Sequence, residues 1–426
     1  MQDQYHHYIP RFLLRNFAIS NYERIFVNND NLFKKKRYRQ NFKDKNKGAA
    51  LLQTYDRNKS QFGVSLVAKT YGIENMYKDF KHEDVMRVEE KLAELERQIA
   101  KVIHNIVKIS QKESQVVLLN TDLNNLLKFL FIMDYRKPYR WSQFINENFD
   151  SRTWPSMKQF MQKYKLKSTR EVWLQNIHEI LITEHKDIKN SLRIFMPDRE
   201  DYVDRMMDRF LVIWQAGEND EFIITKNGFG TFEGINEPLP QFNFKYAFHY
   251  FYVISPKLVL VLCSVFLREE LGHPFRDQTI FENVPRPPVP KCVRLSNEDY
   301  HSTDGNVTLI EGLLNARGFK IEEADKFTFP FVRVTSATVH LVNAVILNES
   351  KPDEILTFLS HSYLYKTIVK YHKNKDIRIL KQDYSSLKKN LFVALNRTHD
   401  ENLNLRKSIP ADRICDWQIR EIDSEF

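Results

Sequence analysis

Five side chains in this sequence could do chemistry if folding brings them together: His6, His7, Glu89, Glu96 and Arg136. A neutral imidazole serves as metal ligand, general base or proton shuttle near neutral pH, and paired carboxylates supply further ligands or a second base. A guanidinium stabilises negative charge as it develops on a substrate. Imidazole, carboxylate and guanidinium on separate rigid elements point to metal-assisted hydrolysis, with a divalent metal as the implied cofactor. The plainer reading is structural. Adjacent histidines ahead of a helix pack against Tyr5 and Tyr8, and glutamates flanking an apolar stripe make surface ion pairs.

A second chemical feature is the basic block that opens with Lys34, Lys35, Lys36, Arg37 and Arg39 and runs to Lys47, carrying eight basic residues against the single acid Asp44. Such a block contacts phosphates or serves as an import signal, or else is a solvated loop. Phe33, Tyr38 and Phe42 are interleaved with it and offer rings on which bases could stack.

The elements that must position these residues are readable from periodicity. Pro10 pushes Ile9 towards extended backbone, so His6 to Ile9 precede a helix that begins near Pro10 and buries Phe12, Leu13, Leu14 and Phe17. Val85, Val88, Leu92, Leu95, Ile99, Val102, Ile106 and Ile109 alternate steps of three and four, predicting one long helix. On it Glu89 and Glu96 lie beside the apolar stripe, while Glu90 and Glu94 point outward. A second helix is expected to be capped by Thr121-Asp122 and to run to the breaker Pro138, with Arg136 and Arg140 at its exit. Further helices are expected near Trp154 to Tyr164, Thr169 to His185 and Tyr202 to Ala216.

Strand signals are fewer at the start, with Ile25 to Val27 and Leu51 to Tyr55, the latter ending in the polar turn Asp56 to Ser60. They dominate after Glu221. Phe222 to Thr225 and Phe229 to Phe232 flank Lys226-Asn227-Gly228, which reads as a hairpin. Phe248 to Ile254 and Leu258 to Phe266 flank Ser255-Pro256-Lys257, so a small antiparallel sheet of about three or four strands is expected. Pro285, Pro287, Pro288 and Pro290 mark a loop, and Asn297 to Asn306 is polar. Lys326 to Val334 reads as a strand, Thr335-Ser336 as a cap, and Ala337 to Leu347, Asp353 to Tyr371 and Tyr384 to Leu395 as helices. The fold class is α+β: a mostly helical N-terminal half packed on a small antiparallel sheet, followed by C-terminal helices. The domain reading is a helical subdomain over 1–216, a sheet-and-helix subdomain over 217–372 and a lysine-rich extension over 373–426.

Composition sets the class. The 426 residues are 42% hydrophobic with only 11 Gly and 15 Pro, which excludes a disordered or fibrous chain. A net charge of +9 favours nucleic acid or another polyanion as partner, but the excess is spread thinly over this length. Cys263, Cys292 and Cys415 are far apart and carry no Cys-x-x-Cys spacing, so a reducing, intracellular compartment, cytoplasmic or nuclear, is expected. No apolar run approaches a membrane span, and no membrane partner is expected. HExxH, GxxxxGK[ST] and GxSxG are all missing, which withdraws support from the better-known zinc peptidases, P-loop enzymes and serine hydrolases.

The order of these pieces resembles the domain of unknown function 4238 family. His6-His7-Tyr8-Ile9-Pro10 with Leu14 and Phe17 looks like the family's His-His-Tyr-x-Pro-x-x-x-Leu-x-x-Phe signature. Val88-Glu89-Glu90 through Leu95-Glu96 looks like its helical glutamate pair, Tyr135-Arg136-Lys137-Pro138 like its Arg-x-Pro element, and Phe222 to Gly234 like its strand-turn motif. Ile254-Ser255-Pro256-Lys257 and Leu341-Val342-Asn343 also fit, so the resemblance spans roughly residues 5–372. The family carries no established activity, but the resemblance groups His6, His7, Glu89, Glu96 and Arg136 into one constellation. One departure stands out. Relatives commonly read Thr-Asp-Asn where this chain has Thr225-Lys226-Asn227, placing a base where a metal ligand would need an acid. The expectation is therefore a metal-dependent, nuclease-like hydrolase of phosphodiesters, degenerate if that acid was essential. The alternatives are a non-catalytic nucleic-acid or polyanion binder, and an interaction scaffold whose histidines and glutamates form a buried network.

Overall fold

The computed structural model describes residues 5–19, 49–77, 85–238, 243–267, 278–284, 291–293, 323–351, 354–375 and 382–407. The fold is mixed α and β with three sheets among the described residues. The basic block Lys34, Lys35, Lys36, Arg37 and Arg39, the strand expected at Ile25 to Val27, the proline loop from Pro285 and the polar stretch from Asn297 lie outside the described residues.

The helix Val85–Ile109 forms as its stripe dictates, with Val88, Leu92, Leu95, Ile99, Val102 and Ile106 buried. It packs against the helices Asn120–Tyr135 and Thr169–Ile182. The second of these is capped by Ser168, whose side chain accepts from the Glu171 N–H. The cap expected at Thr121-Asp122 is not formed. Asn120–Tyr135 starts without a side-chain cap, and Thr121 Oγ1 instead donates to the Glu323 carbonyl at 3.0 Å. Pro138 does not merely stop this helix; it opens the next, Pro138–Ile145, where its missing N–H costs nothing.

The expected small sheet is larger than three or four antiparallel strands. Seven strands share it: Lys291–Val293, Lys326–Arg333, Arg209–Gln215, Leu258–Ser264, Asn243–Ser255 and Thr231–Pro238 in that order, with Gln115–Leu119 also paired to Lys326–Arg333. All its pairings are antiparallel except that of Lys326–Arg333 with Arg209–Gln215. The helix expected over Tyr202 to Ala216 is thus a strand from Arg209. Its run Phe210-Leu211-Val212-Ile213-Trp214 is buried on both faces, so it lacks the alternation that marks a half-exposed strand, and its apolar spacing fits either period. Only Met196–Tyr202 is α-helical here, and a wider π turn over Val203–Met207 ends it.

Two more expectations fail for topological reasons. Lys226-Asn227-Gly228 does turn the chain, with the Gly228 N–H bonded to the Thr225 carbonyl at 3.2 Å, but no hairpin results. Ile224–Thr225 pairs with Ile355–Thr357 in a four-stranded sheet completed by Leu51–Asp56 and Gln61–Leu66, whereas Thr231–Pro238 pairs with Asn243–Ser255. The turn is a crossing between sheets. Likewise Asp353 to Tyr371 is not one helix: Ile355–Thr357 is a strand, and the helix His361–Lys373 begins only after its cap Ser360.

Tyr5–His7 and Gly72–Glu74 make a separate antiparallel pair, placing His6 opposite Ile73 and His7 opposite Gly72. Tyr8 and Ile9 both donate to the Tyr71 carbonyl, and Leu13, Leu14 and Phe17 enter the core. Buried apolar side chains from Tyr8 to Leu391 form one cluster. No helix among the described residues is long and apolar enough to cross a membrane.

Candidate functional site

Folding does bring most of the suspected residues together. His6 Nε2 lies 2.5 Å from Glu89 Oε1, and the Met76 N–H donates to His6 Nδ1 at 3.1 Å. A backbone N–H can only donate, so Nδ1 accepts, the ring proton sits on Nε2, and the imidazole donates to Glu89. Arg136 Nη2 donates to Glu96 Oε1 at 2.6 Å and Nη1 to the Tyr77 hydroxyl at 3.2 Å. Tyr77 joins the two halves: its ring meets His6 edge-on at 5.1 Å and stacks on Trp173 at 5.7 Å. Arg136 is 1% exposed, so its charge is taken up by Glu96 and the Tyr77 hydroxyl and faces no solvent.

His7 takes no part in this. Its Nε2 donates to the Val67 carbonyl at 3.2 Å and its ring abuts Tyr5. Burial, then the charges of Arg11 and Arg136, push its pKa below the ordinary histidine value. The arrangement does not fit a metal. Both His6 nitrogens are engaged, Glu96 is committed to Arg136, and no group of three His, Cys, Asp or Glu side chains suited to a metal ion exists among the described residues.

The network holds the turn that links the two helices Asn120–Tyr135 and Pro138–Ile145, and the other side chains of that turn line a cavity of about 600 Å³. Asp134, Lys137, Tyr139 and Arg140 come from the turn and the helix ends on either side of it; Asp201, Asp204 and Arg205 come from the helix and π turn that span Met196 to Met207, and Arg209 from the start of the strand that follows; Thr231, Phe232, Tyr246 and Tyr250 come from the sheet, with Gly230 just ahead of it. Each guanidinium is fixed by a carboxylate. Arg205 donates through Nε to Asp201 at 2.7 Å and through Nη1 to Asp134, Arg209 donates through Nη2 to Asp204 at 3.0 Å, and Arg140 pairs with Asp198. Arg205 and Arg209 also lie over the Tyr250 ring at 4.8 and 4.9 Å.

The carboxylates behind these cations are tuned in opposite directions. Burial alone would raise Asp134, but Lys137 and Arg205 override it and hold the carboxyl below its usual range. Asp198 is 0% exposed, and burial raises its pKa against the pull of Arg140. It accepts from Tyr135 at 3.0 Å and Asn176 at 2.7 Å as well, so Arg140 is held from the core. Gly230 sits at φ +72°, and a Cβ there would come within 2.9 Å of Asp134 Oδ1. Thr231 Oγ1, in a side chain 2% exposed, has no hydrogen-bond partner.

The model of the family described as protein of unknown function (DUF4238) matches residues 5–358. The chain belongs to this DUF4238 family. No curated protein and no solved structure matches it significantly. The stretches that resemble the DUF4238 motifs fall on both regions: His6, Glu89, Glu96 and Arg136 build the network, while Lys137 and Gly230-Thr231 line the cavity. Lys226 is in neither. It lies in the turn whose Asn227 donates to the buried Glu354, and its charge opposes the upward shift that burial imposes on that carboxyl.

The cavity residues Asp204, Arg205 and Arg209 were missed because they fall within the helix expected over Tyr202 to Ala216, and Asp201 because it lies just ahead of it. A signal existed: eight of the twelve residues from Asp198 to Arg209 are charged, in a segment that also carries Tyr202, Met206 and Met207. Charge at that density beside buried apolar residues needs internal partners.

Proposed function

We propose that this protein binds a small polar ligand bearing an anionic group in the cavity lined by Arg140, Arg205 and Arg209, and that the His6–Glu89 and Arg136–Glu96 network is the scaffold that sets the cavity's helical wall. The observation that carries the reading is the set of guanidinium groups held by aspartates around about 600 Å³, within the size range of small-molecule sites. Arginine presents a planar fork suited to carboxylate or phosphate, and one already fixed by an aspartate loses little freedom when a ligand arrives. The volume suits a metabolite or mononucleotide rather than a strand of nucleic acid. In this reading His6, Glu89, Glu96 and Arg136 are positioning residues, and hydrolysis through a divalent metal is not part of the function.

The test is calorimetric titration of the full chain with glutamate, AMP and inorganic phosphate, alongside Lys137→Gln and Tyr139→Ala. Saturable binding by at least one of them, weakened about tenfold in the Lys137 variant, is expected. No heat from any of the three, or from any other amino acid or dipeptide, at millimolar concentration overturns the reading. So does Mg²⁺- or Mn²⁺-dependent cleavage of a phosphodiester that His6→Ala or Glu89→Gln abolishes, which would restore the hydrolase.

A further inference from the structure

If the cavity is a ligand site, its charge pattern narrows the ligand class. The cations Lys137, Arg140, Arg205 and Arg209 are matched by the anions Asp134, Asp201, Asp204 and Glu349. A ligand that is only anionic meets as many carboxylates as cations there, and one that is only cationic meets the reverse penalty. The unused hydrogen-bonding capacity is split by sign as well. Arg205 spends Nε on Asp201 and Nη1 on Asp134, leaving Nη2 with no hydrogen bond among the described residues. Asp201 accepts through Oδ1, and its Oδ2 has no such bond. Glu349 is exposed at the edge of the cavity and pairs with no described residue. Thr231 Oγ1, buried and unpartnered, adds a neutral group that can donate or accept.

From this we infer that the ligand is a small zwitterion of the amino-acid type, its carboxylate taken by Arg205 and its ammonium by Asp201 and Glu349, with Thr231 completing the hydrogen bonding. A zwitterion satisfies both sets at once, its carboxylate at the open Arg205 Nη2 and its ammonium at the open Asp201 Oδ2, whereas a simple anion at Nη2 leaves Asp201 and Glu349 facing it unmatched. The aromatic walls Tyr246 and Tyr250 leave the side chain of such a ligand an apolar surface.

The experiment compares the free amino acids and a set of dipeptides with their N-acetylated and C-amidated derivatives, by calorimetry on the full chain. At least one zwitterion should bind, and blocking either end should cost about tenfold or more. Whether the free amino acid or the dipeptide binds more tightly tells which spans the two charged sets. Glu349→Gln, an exposed change, should weaken the zwitterion and leave AMP or phosphate unaffected or tighter. Thr231→Val should raise the melting temperature of the unliganded protein, by removing an unsatisfied buried hydroxyl, while weakening the ligand. Binding of AMP or phosphate with no response to zwitterions overturns this inference and leaves the anion-binding reading standing. Equal binding of blocked and free forms overturns it too. Silence from every compound overturns both.

Discussion

The His6–Glu89–Tyr77–Arg136–Glu96 network and the Arg140–Arg205–Arg209 cavity use the same chemistry, cations held by carboxylates, to opposite ends. In the network, among the described residues, the pairs are closed off from any cavity, and Arg136 Nε is left buried without a partner. Arg136 is buried against Glu96 and Tyr77, and His6 donates on one side and accepts on the other. In the cavity the pairs are made but not exhausted, with open positions on Arg205 and Asp201 around an empty volume and an orphaned hydroxyl at Thr231. Buried pairs with no space beside them specify a structure; pairs with open positions around a void offer a site. Chemically capable residues alone do not separate the two cases. What separates them is whether the capacity left over borders an open volume.

The sharpest way to break this comparison is at Arg136. Removing the buried Arg136 side chain opens a cavity and leaves Tyr77 and the part-exposed Glu96 without their partner, so Arg136→Ala should lose about 2–5 kcal/mol of stability. Urea denaturation measures it. A loss under about 1 kcal/mol would mean that Arg136 is not the keystone of the network.

Gly230 tests the other side. Any side chain there must adopt a left-handed φ and press on Asp134 and Tyr252, the latter 3.0 Å from the added Cβ, so Gly230→Ala should cost about 1–3 kcal/mol. Because Asp134 holds Arg205, the same change should also displace the cavity's central cation and lower ligand affinity. Equal stability with full affinity would show that the cavity does not depend on this close approach.

These two residues also mark what was legible in the sequence. Type and place at a helix exit are shared by Arg136 and Arg140, and it is the resemblance to the family's Arg-x-Pro element that singles out Arg136, whereas the long helix carrying Glu89 and Glu96 follows from an apolar stripe that no other period fits. The cavity was not seen, because its walls come from segments whose local signals mislead. The strand from Arg209 carries no alternation, since both its faces are buried. Lys226-Asn227-Gly228 has the chemistry of a hairpin turn but joins two sheets, and turn residues determine a local bend without determining which strands pair afterwards. The short pairing of Tyr5–His7 with Gly72–Glu74, which aims His6 at Glu89, depends on a partner far along the chain, and nothing in His-His-Tyr-x-Pro encodes it.

The two adjacent histidines offer the finest test of the contrast, with the smallest effect. His6 is bound to a carboxylate; His7 donates to a carbonyl and is pushed towards its neutral form by burial and by Arg11 and Arg136. A histidine whose pKa is lower folded than unfolded binds fewer protons in the native state. Its contribution is fully present above the unfolded value near 6.5 and is lost as pH falls through that value towards the lower folded one. His7→Gln keeps a donor for the Val67 carbonyl and cannot be protonated. It should therefore leave stability near pH 8 little changed and flatten the decline between about pH 7 and pH 5, read from denaturation midpoints across that window. A variant that declines as steeply as the wild type would place the acid sensitivity elsewhere and remove His7 from the account. A large loss at pH 8 would instead mean that His7, like His6, is part of the lock.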